Sequence, residues 1–216
     1  MSTRTIAKVT GWSLVAMAAI AGISLGYAYD TVYSSVQMET AENFQLFQIV
    51  LLGILLTIIL DFTVSFTLYK FFKNDNKAIS LTSALLRVVY TLIFAIAAFF
   101  LISSLPIWST AQKTVIANFD RFHLIWTSGL IIFGVHLLLV GFLMKIHKKI
   151  HIILWITTII AGLSYFIISF LKVVTPTLEE LTNSLEMILM LPMIVGELGL
   201  AIWLIVRGGK NIQTKI

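Results

Sequence analysis

Six long runs of apolar residues alternate with short polar segments along the chain. A helix rises about 1.5 Å per residue, so about 20 apolar residues carry it across the hydrocarbon core of a bilayer. The runs fall near residues 13–29, 47–68, 79–101, 123–144, 152–171 and 185–206. Because the connections are short, neighbouring spans are expected to be antiparallel. The pattern predicts an all-α fold, an integral membrane bundle of six transmembrane helices that forms a single domain over residues 1–216.

The composition supports a membrane protein and narrows its chemistry. Hydrophobic residues make up 59% of the 216 positions and charged residues only 12%, which is too little charge for the surface of a soluble domain of this length. No cysteine is present, which excludes disulfides, thiolate metal ligands and cysteine nucleophiles. The net charge of +5 comes from residues dispersed at span ends, so it indicates membrane topology and not binding of nucleic acid.

Lysine and arginine are divided unevenly between the two ends of the predicted spans. Eleven lie at the end where the chain begins: Arg4, Lys8, Lys70, Lys73, Lys77, Lys145, Lys148, Lys149, Arg207, Lys210 and Lys215. The opposite end has three basic residues, Lys113, Arg121 and Lys172, and seven acidic ones, Asp30, Glu39, Glu42, Asp120, Glu179, Glu180 and Glu186. We call these the lysine-rich end and the acidic end. Cytoplasmic loops are enriched in lysine and arginine, so both termini are expected in the cytoplasm.

Four ionisable residues lie inside the predicted spans at one shared depth. They are Asp61, Arg87, His136 and Glu197, each nine or ten residues from a basic residue at the lysine-rich end of its span: Lys70, Lys77, Lys145 and Arg207, respectively. Thr158, nine residues after Lys149, reaches the same depth. At about 1.5 Å per residue, all lie roughly 13–15 Å inside one membrane face. Charge in hydrocarbon is costly, so such residues usually face the bundle interior, pair with one another and mark a functional site.

Each member of this layer has a functional and a structural interpretation. Asp61 and Arg87 lie on spans joined by a short turn, so a direct ion pair is expected, either as part of a site or as a buried strut with a net stabilisation near zero. Glu197 follows Gly196, and this small neighbour lets water or another helix approach its carboxyl. It is interpreted as a proton acceptor, as an anchor for a substrate cation, or as a neutral acid hydrogen-bonded across helices.

The histidines raise the question of a cofactor. His136 is either a group that titrates near physiological pH or a hydrogen-bonded core histidine. His123 lies thirteen residues earlier on a similar helical face, a spacing that two haems could use. Haem would need histidines on facing helices, but His147 and His151 both lie in the turn at the lysine-rich end. No compact metal-binding motif is present, so no haem, metal or other cofactor is expected.

The residues of the layer also carry a family resemblance. Leu86-Arg87, the segment Gly129 to Gly141 that contains His136, and Ala161 to Tyr165 resemble the domain-of-unknown-function 4386 family of small bacterial membrane proteins. Leu191-Pro192, Gly196-Glu197-Leu198 and Trp203 extend the resemblance into the last span. The resemblance implies a six-span bundle in the bacterial plasma membrane. It implies no activity, because the family is named for lacking one.

Three functions are compatible with the sequence. The leading hypothesis is that Asp61, Arg87, His136, Glu197 and Thr158 bind and translocate a small solute or proton, with His136 or Glu197 as the proton carrier. The first alternative is a non-catalytic membrane subunit or sensor whose polar layer only fixes packing. The second is a membrane-embedded enzyme that uses His136 and Glu197 as acid and base, which no nucleophile or metal motif favours. The sequence leaves open a protein partner or homo-oligomer, and it names no substrate.

Overall fold

The computed structural model describes residues 1–38, 43–147 and 149–210. Within these ranges the regular structure is helical: α1 (Thr3–Ala21), α2 (Tyr29–Gln37), α3 (Phe44–Phe72), α4 (Lys77–Ser104), α5 (Gln112–Ile146), α6 (Ile152–Val174) and α7 (Glu179–Val206). Gly22–Ala28 forms π-helical turns between α1 and α2, and short 3-10 turns lie at Leu105–Ile107 and Pro176–Leu178. Four residues of the topology argument, Glu39, Glu42, Lys148 and Lys215, lie outside the described residues, as does the side chain of Glu179.

Among the described residues, six helical stretches are long and apolar enough to cross a membrane. They are α3 to α7 together with the continuous helix formed by α1, the π-helical turns and α2. Each contains one predicted span, so the prediction of an all-α chain with six spans is confirmed. Large apolar side chains on the outside, such as Ile59, Phe66 and Phe99, are more than half exposed. An apolar exterior of this extent fits lipid and not water, which indicates a multi-pass membrane protein.

The helices extend past the predicted spans, most clearly at the acidic end. The first span was predicted to end near residue 29, but the helix continues to Gln37. Val32 and Val36 are fully buried on its inner face, so packing extends a helix whose polar composition suggested a loop. Helix α5, which contains the fourth predicted span, begins at Gln112 and not at residue 123, because Val115 and Phe119 are also fully buried.

The spans form a closed ring in which each helix packs on its neighbours in the chain. The order is α1, α3, α4, α5, α6 and α7, and α7 returns to contact α1. Arg4 closes the ring at the lysine-rich end, because its guanidinium donates to the carbonyl oxygens of Gly208 at 2.7 Å and Ile205 at 2.5 Å. Ile205 lies in the last turn of α7, where carbonyl groups have no partner within the helix, and Gly208 follows the end of the helix. One residue counted only as a topology signal therefore also caps a helix.

Glycines set how closely the helices approach around the middle of the membrane. A Cβ atom on Gly134 would lie 2.7 Å from the carbonyl oxygen of Gly162, so α5 and α6 touch backbone to backbone. A Cβ on Gly196 would lie 2.9 Å from the carbonyl oxygen of Thr157, so α6 and α7 do the same. Small residues at helix crossings are a common way of bringing membrane helices together. Both crossings lie beside a residue of the predicted polar layer.

Two apolar cores lie on either side of this layer. Aromatic side chains dominate the core towards the acidic end, where Phe47 stacks on Trp108 with ring centroids 4.5 Å apart. The core towards the lysine-rich end contains Phe72, Met144 and Leu204, all fully buried. The polar layer is therefore separated from both ends of the bundle by packed apolar side chains.

Candidate functional site

Asp61 and Arg87 form the ion pair that their positions on α3 and α4 predict. Arg87 donates to a single carboxylate oxygen, Oδ1 of Asp61, from Nε at 2.9 Å and from Nη2 at 2.6 Å. Both side chains are at most 2% exposed. The other carboxylate oxygen of Asp61, Oδ2, is buried and has no hydrogen-bond partner among the described residues. The pair balances its own charge but leaves one acceptor unused.

His136 on α5 extends this pair into a chain of hydrogen bonds. Its Nε2 lies 3.2 Å from Nη1 of Arg87, and its Nδ1 lies 2.8 Å from the carbonyl oxygen of Ser83. A guanidinium only donates hydrogen bonds, so Nε2 must be the unprotonated acceptor and Nδ1 must carry the hydrogen. The contacts therefore hold His136 as the neutral imidazole. Both of its ring nitrogens are occupied.

Glu197 on α7 stands apart from that chain. Its Oε1 accepts a hydrogen bond of 2.9 Å from the hydroxyl of Tyr165 on α6, and the side chain is partly exposed. Within the described part of the chain, Glu197 forms no ion pair. No hydrogen bond joins it to His136, so the interpretation of these two residues as an acid and base pair gains no support from a direct contact.

Thr158 on α6 lies directly beside Glu197. Its hydroxyl is within hydrogen-bonding distance of two carbonyl oxygens, that of Leu154 at 2.8 Å and that of Gly196 at 3.2 Å. The second contact crosses from α6 to α7 and exists because Gly196 has no side chain to hold the helices apart. Thr158 thus fixes the height of Glu197 relative to α6.

A small cavity connects the two groups of polar residues. Arg87, His136, Thr158 and Glu197 supply its polar wall. Leucines and a valine supply the rest, and these lie towards the lysine-rich end of their helices: Leu14, Leu68, Leu137, Val140 and Leu200. The open space is sufficient for about one water molecule. In this conformation the site therefore holds nothing much larger than water.

One carboxyl group of the site has no countercharge. Asp61 and Arg87 cancel, and His136 is neutral by its hydrogen bonds. Glu197 is the remaining acid, and an ionised carboxylate without a countercharge is costly in hydrocarbon. A proton, or a cation in the adjacent cavity, would balance it.

The sequence correctly grouped the five predicted residues by depth but missed their supports. Met17 on α1 brings the remaining span to the site, because its sulfur lies 3.8 Å from Nη2 of Arg87. Phe133 places its ring under the same guanidinium, 5.5 Å from Cζ, and Tyr165 packs edge-on against Phe133 with centroids 5.2 Å apart. Ser83 could have been found, because it lies four residues before Arg87 and thus on the same helical face.

Histidine positions and ligand groups bear on the cofactor question. His123 lies at the acidic end, where it lines a separate cavity, and it has no part in the polar layer. Across the ranges that the structure describes, no three side chains of His, Asp or Glu are grouped in a way that could hold a metal ion.

Comparisons with known proteins agree with the geometry. The family model described as a domain of unknown function (DUF4386) matches residues 9–208. An uncharacterized protein from the archaeon Archaeoglobus fulgidus is 31% identical over 160 residues, which cover 74% of this chain and 84% of the relative. No solved structure matches the chain.

Proposed function

Since the chain belongs to the domain-of-unknown-function 4386 family, whose name assigns no activity, we propose a function from the site itself. The protein binds a proton on Glu197 and translocates it across the membrane, alone or together with a small solute. One observation carries this proposal. Glu197 is the acid without a countercharge, and it borders a water-sized cavity whose other polar walls are Arg87, His136 and Thr158.

Hydrogen bonding favours Glu197 over His136 as the proton carrier. A proton added to His136 would have to enter at Nε2, which faces the guanidinium of Arg87 at 3.2 Å. Two positive groups at that distance repel strongly in a low-dielectric interior. Glu197 has one oxygen held by Tyr165 and a second oxygen that accepts no hydrogen bond from the described residues, so it can take up a proton without displacing a cation.

The other residues of the site have supporting roles in this proposal. Arg87 keeps a fixed positive charge beside the cavity, and Asp61 holds that charge in place. Thr158 donates its hydroxyl hydrogen to a backbone carbonyl oxygen, so its own oxygen is left to accept a hydrogen bond from water in the cavity. The small size of the cavity fits a proton or water, so a larger solute would require the helices to move apart.

Topology gives the proposed route a direction. We infer from the distribution of lysine and arginine that both termini lie in the cytoplasm. That the protein lies in the plasma membrane is a proposal that follows from its family. The apolar walls of the cavity, such as Leu68, Val140 and Leu200, lie on the lysine-rich side of the polar layer. These side chains separate Glu197 from the lysine-rich end, so passage of a proton to the cytoplasm would require them to move apart.

Proton flux into proteoliposomes tests the proposal. Vesicles that contain a pH-sensitive dye are given a potassium gradient and valinomycin, and the internal pH is followed with and without protein. We expect flux well above that of empty vesicles for the wild type, and flux at the empty-vesicle level for Glu197→Gln. Glu180→Gln is the matched control, because it makes the same change on the exposed acidic end of α7 and should leave flux intact. Unchanged flux in Glu197→Gln contradicts the proposal.

A structural role is the second candidate, and the chain Asp61–Arg87–His136–Ser83 favours it. These hydrogen bonds tie α3, α4 and α5 together with side chains that are almost fully buried. A membrane subunit or sensor needs such a link only to fix helix register. In that case no variant of Glu197 alters flux, while variants of Arg87 still destabilise the fold. A homo-oligomer or protein partner would fit either function and stays a prediction.

A further inference from the structure

A second cavity lies at the acidic end of the bundle, on the outside of the ring. It has a volume of about 190 Å³ and is lined by residues of α2, α5 and α6. Asp120, His123 and Thr127 face it from successive turns of α5, and Tyr33 and Lys172 complete its polar wall. None of these residues belongs to the polar layer around Glu197.

The cavity lies at the depth of the lipid headgroups. Lys172 is twenty residues after Ile152, the first residue of α6, and a helix of that length rises about 30 Å. This equals the thickness of the hydrocarbon core, so Lys172 lies at the membrane surface of the acidic end. The cavity is therefore within reach of both lipid headgroups and solutes.

Its charges favour a positive ligand. Lys172 is already paired with Glu186, with Nζ and Oε2 2.6 Å apart. Asp120 accepts a hydrogen bond of 3.0 Å from the hydroxyl of Tyr33, and Asp30 is within electrostatic range of His123. Asp120 is thus the one carboxylate among the lining residues and forms no ion pair within the described residues, whereas Lys172, the lining cation, is already neutralised by Glu186.

A hydroxyl that opens onto the cavity also lacks a protein partner here. Thr127 is only 5% exposed and lines the cavity, yet its side chain makes no hydrogen bond to another described residue. Buried polar groups are nearly always satisfied by protein, water or ligand. A partner for this hydroxyl therefore has to come from the cavity, at whose rim Asp120, His123 and Leu124 are exposed.

We propose that this cavity binds an organic ammonium group. Asp120 supplies the counter-charge, His123 and Thr127 supply acceptors for the N–H groups, and the aromatic ring of Tyr33 borders the same space. Leu124 and Val173 form apolar walls that suit the methylene groups attached to the nitrogen. A bare metal ion fits less well, because no three carboxylate or imidazole groups of the described residues are grouped in a way that could hold one. An anion is disfavoured because the lining cation, Lys172, is already paired with Glu186.

An ammonium group of this kind has two sources, a lipid headgroup and a soluble amine. Native mass spectrometry of the purified full chain separates them when the protein is titrated with phosphatidylethanolamine, with phosphatidylglycerol and with free ethanolamine. We expect an ethanolamine-bearing probe to bind, and phosphatidylglycerol, which lacks the amine, to bind at least about tenfold more weakly. Binding of phosphatidylethanolamine alone assigns the site to lipid, and competition by free ethanolamine assigns it to a soluble amine. Equal binding of both phospholipids overturns the proposal.

Two variants with opposite expected effects test the residues. Asp120→Asn removes the counter-charge and should weaken binding of the amine by about tenfold, whereas Asp75→Asn at the lysine-rich end should leave it unchanged. Lys172→Gln frees Glu186 and makes the cavity more negative, so it should strengthen binding of the amine. A ligand held through its phosphate would respond in the opposite way. If Lys172→Gln weakens binding, or if Asp120→Asn has no effect, the ammonium assignment is wrong.

Discussion

The two acids of the polar layer lie at the same depth in opposite halves of the ring, and their surroundings differ. Asp61 is fully buried between α3 and α4, and Arg87 donates two hydrogen bonds to it. Glu197 lies on α7, is partly exposed, forms no ion pair within the described residues and borders the cavity. In the half of the ring formed by α3, α4 and α5, the charges of Asp61 and Arg87 balance. The half formed by α6 and α7 contains Glu197, an acid that needs a proton or a cation to balance its charge.

This difference shows that depth in the membrane does not decide what a buried acid does. A carboxylate with a hydrogen-bonded guanidinium stays ionised and ties helices together. A carboxylate without such a partner must exchange charge with something mobile. The half with the ion pair can therefore serve as a scaffold, and the half with Glu197 can serve as the site where a proton is exchanged.

Breaking the ion pair should have the largest effect on stability. Arg87→Gln leaves Asp61 as a buried carboxylate without a countercharge, and removal of one partner from a buried pair typically costs about 3–5 kcal/mol. We expect this loss in the free energy of unfolding, measured in mild detergent with increasing denaturing detergent. The double variant Asp61→Asn with Arg87→Gln should recover most of the loss, because no unpaired charge remains. Equal destabilisation of the single and double variants would mean that the pair's geometry, and not its charge balance, supports the fold.

A change at the contact between α6 and α7 should lower stability by less than the loss of the ion pair does. Gly196→Ala places a Cβ 2.9 Å from the carbonyl oxygen of Thr157, and overpacking of this kind costs about 1–3 kcal/mol. It should also move Glu197 away from Thr158 and lower proton flux. Gly22→Ala is the control, because nothing lies within 4 Å of its Cβ. If Gly196→Ala behaves like Gly22→Ala in both stability and flux, the close approach of α6 and α7 is not needed at the site.

The smallest effect is expected at the hydroxyl that holds Glu197. Tyr165→Phe removes one hydrogen bond and keeps the ring that packs edge-on against Phe133. Hydrogen bonds between membrane helices average about 0.6 kcal/mol, so the free energy of unfolding should fall by about that amount. Flux should persist at a reduced rate. A loss as large as that of Arg87→Gln would show that Tyr165, and not the ion pair, anchors the site.

The sequence predicts the contacts of Asp61 better than those of Glu197. Asp61 and Arg87 lie on helices joined by a short turn, so equal depth was nearly enough to place them in contact. Glu197 was grouped with them by depth, but its neighbours depend on the rotation of α7 and on which helices close the ring. That information lies in the backbone approaches at Gly134 and Gly196, which the sequence shows only as small residues.

The ends of the helices were likewise predicted correctly where composition decides them, and incorrectly where tertiary packing does. Hydropathy located all six spans, because about 20 apolar residues in a row have few alternatives to a membrane helix. It placed the end of the first helix too early, since the segment to Gln37 is polar on average. Burial of Val32 and Val36 against neighbouring helices is a tertiary effect that overrides local composition.

The protonation of the two acids is the most direct test of this difference. Infrared spectroscopy of the reconstituted protein detects the carbonyl stretch of a protonated carboxylic acid, and the band can be followed while the pH is raised. We predict one such band from the buried acids that titrates with pH, is absent in Glu197→Gln and persists in Asp61→Asn. A band that persists in Glu197→Gln and disappears in Asp61→Asn would contradict the assignment of the exchangeable proton to Glu197.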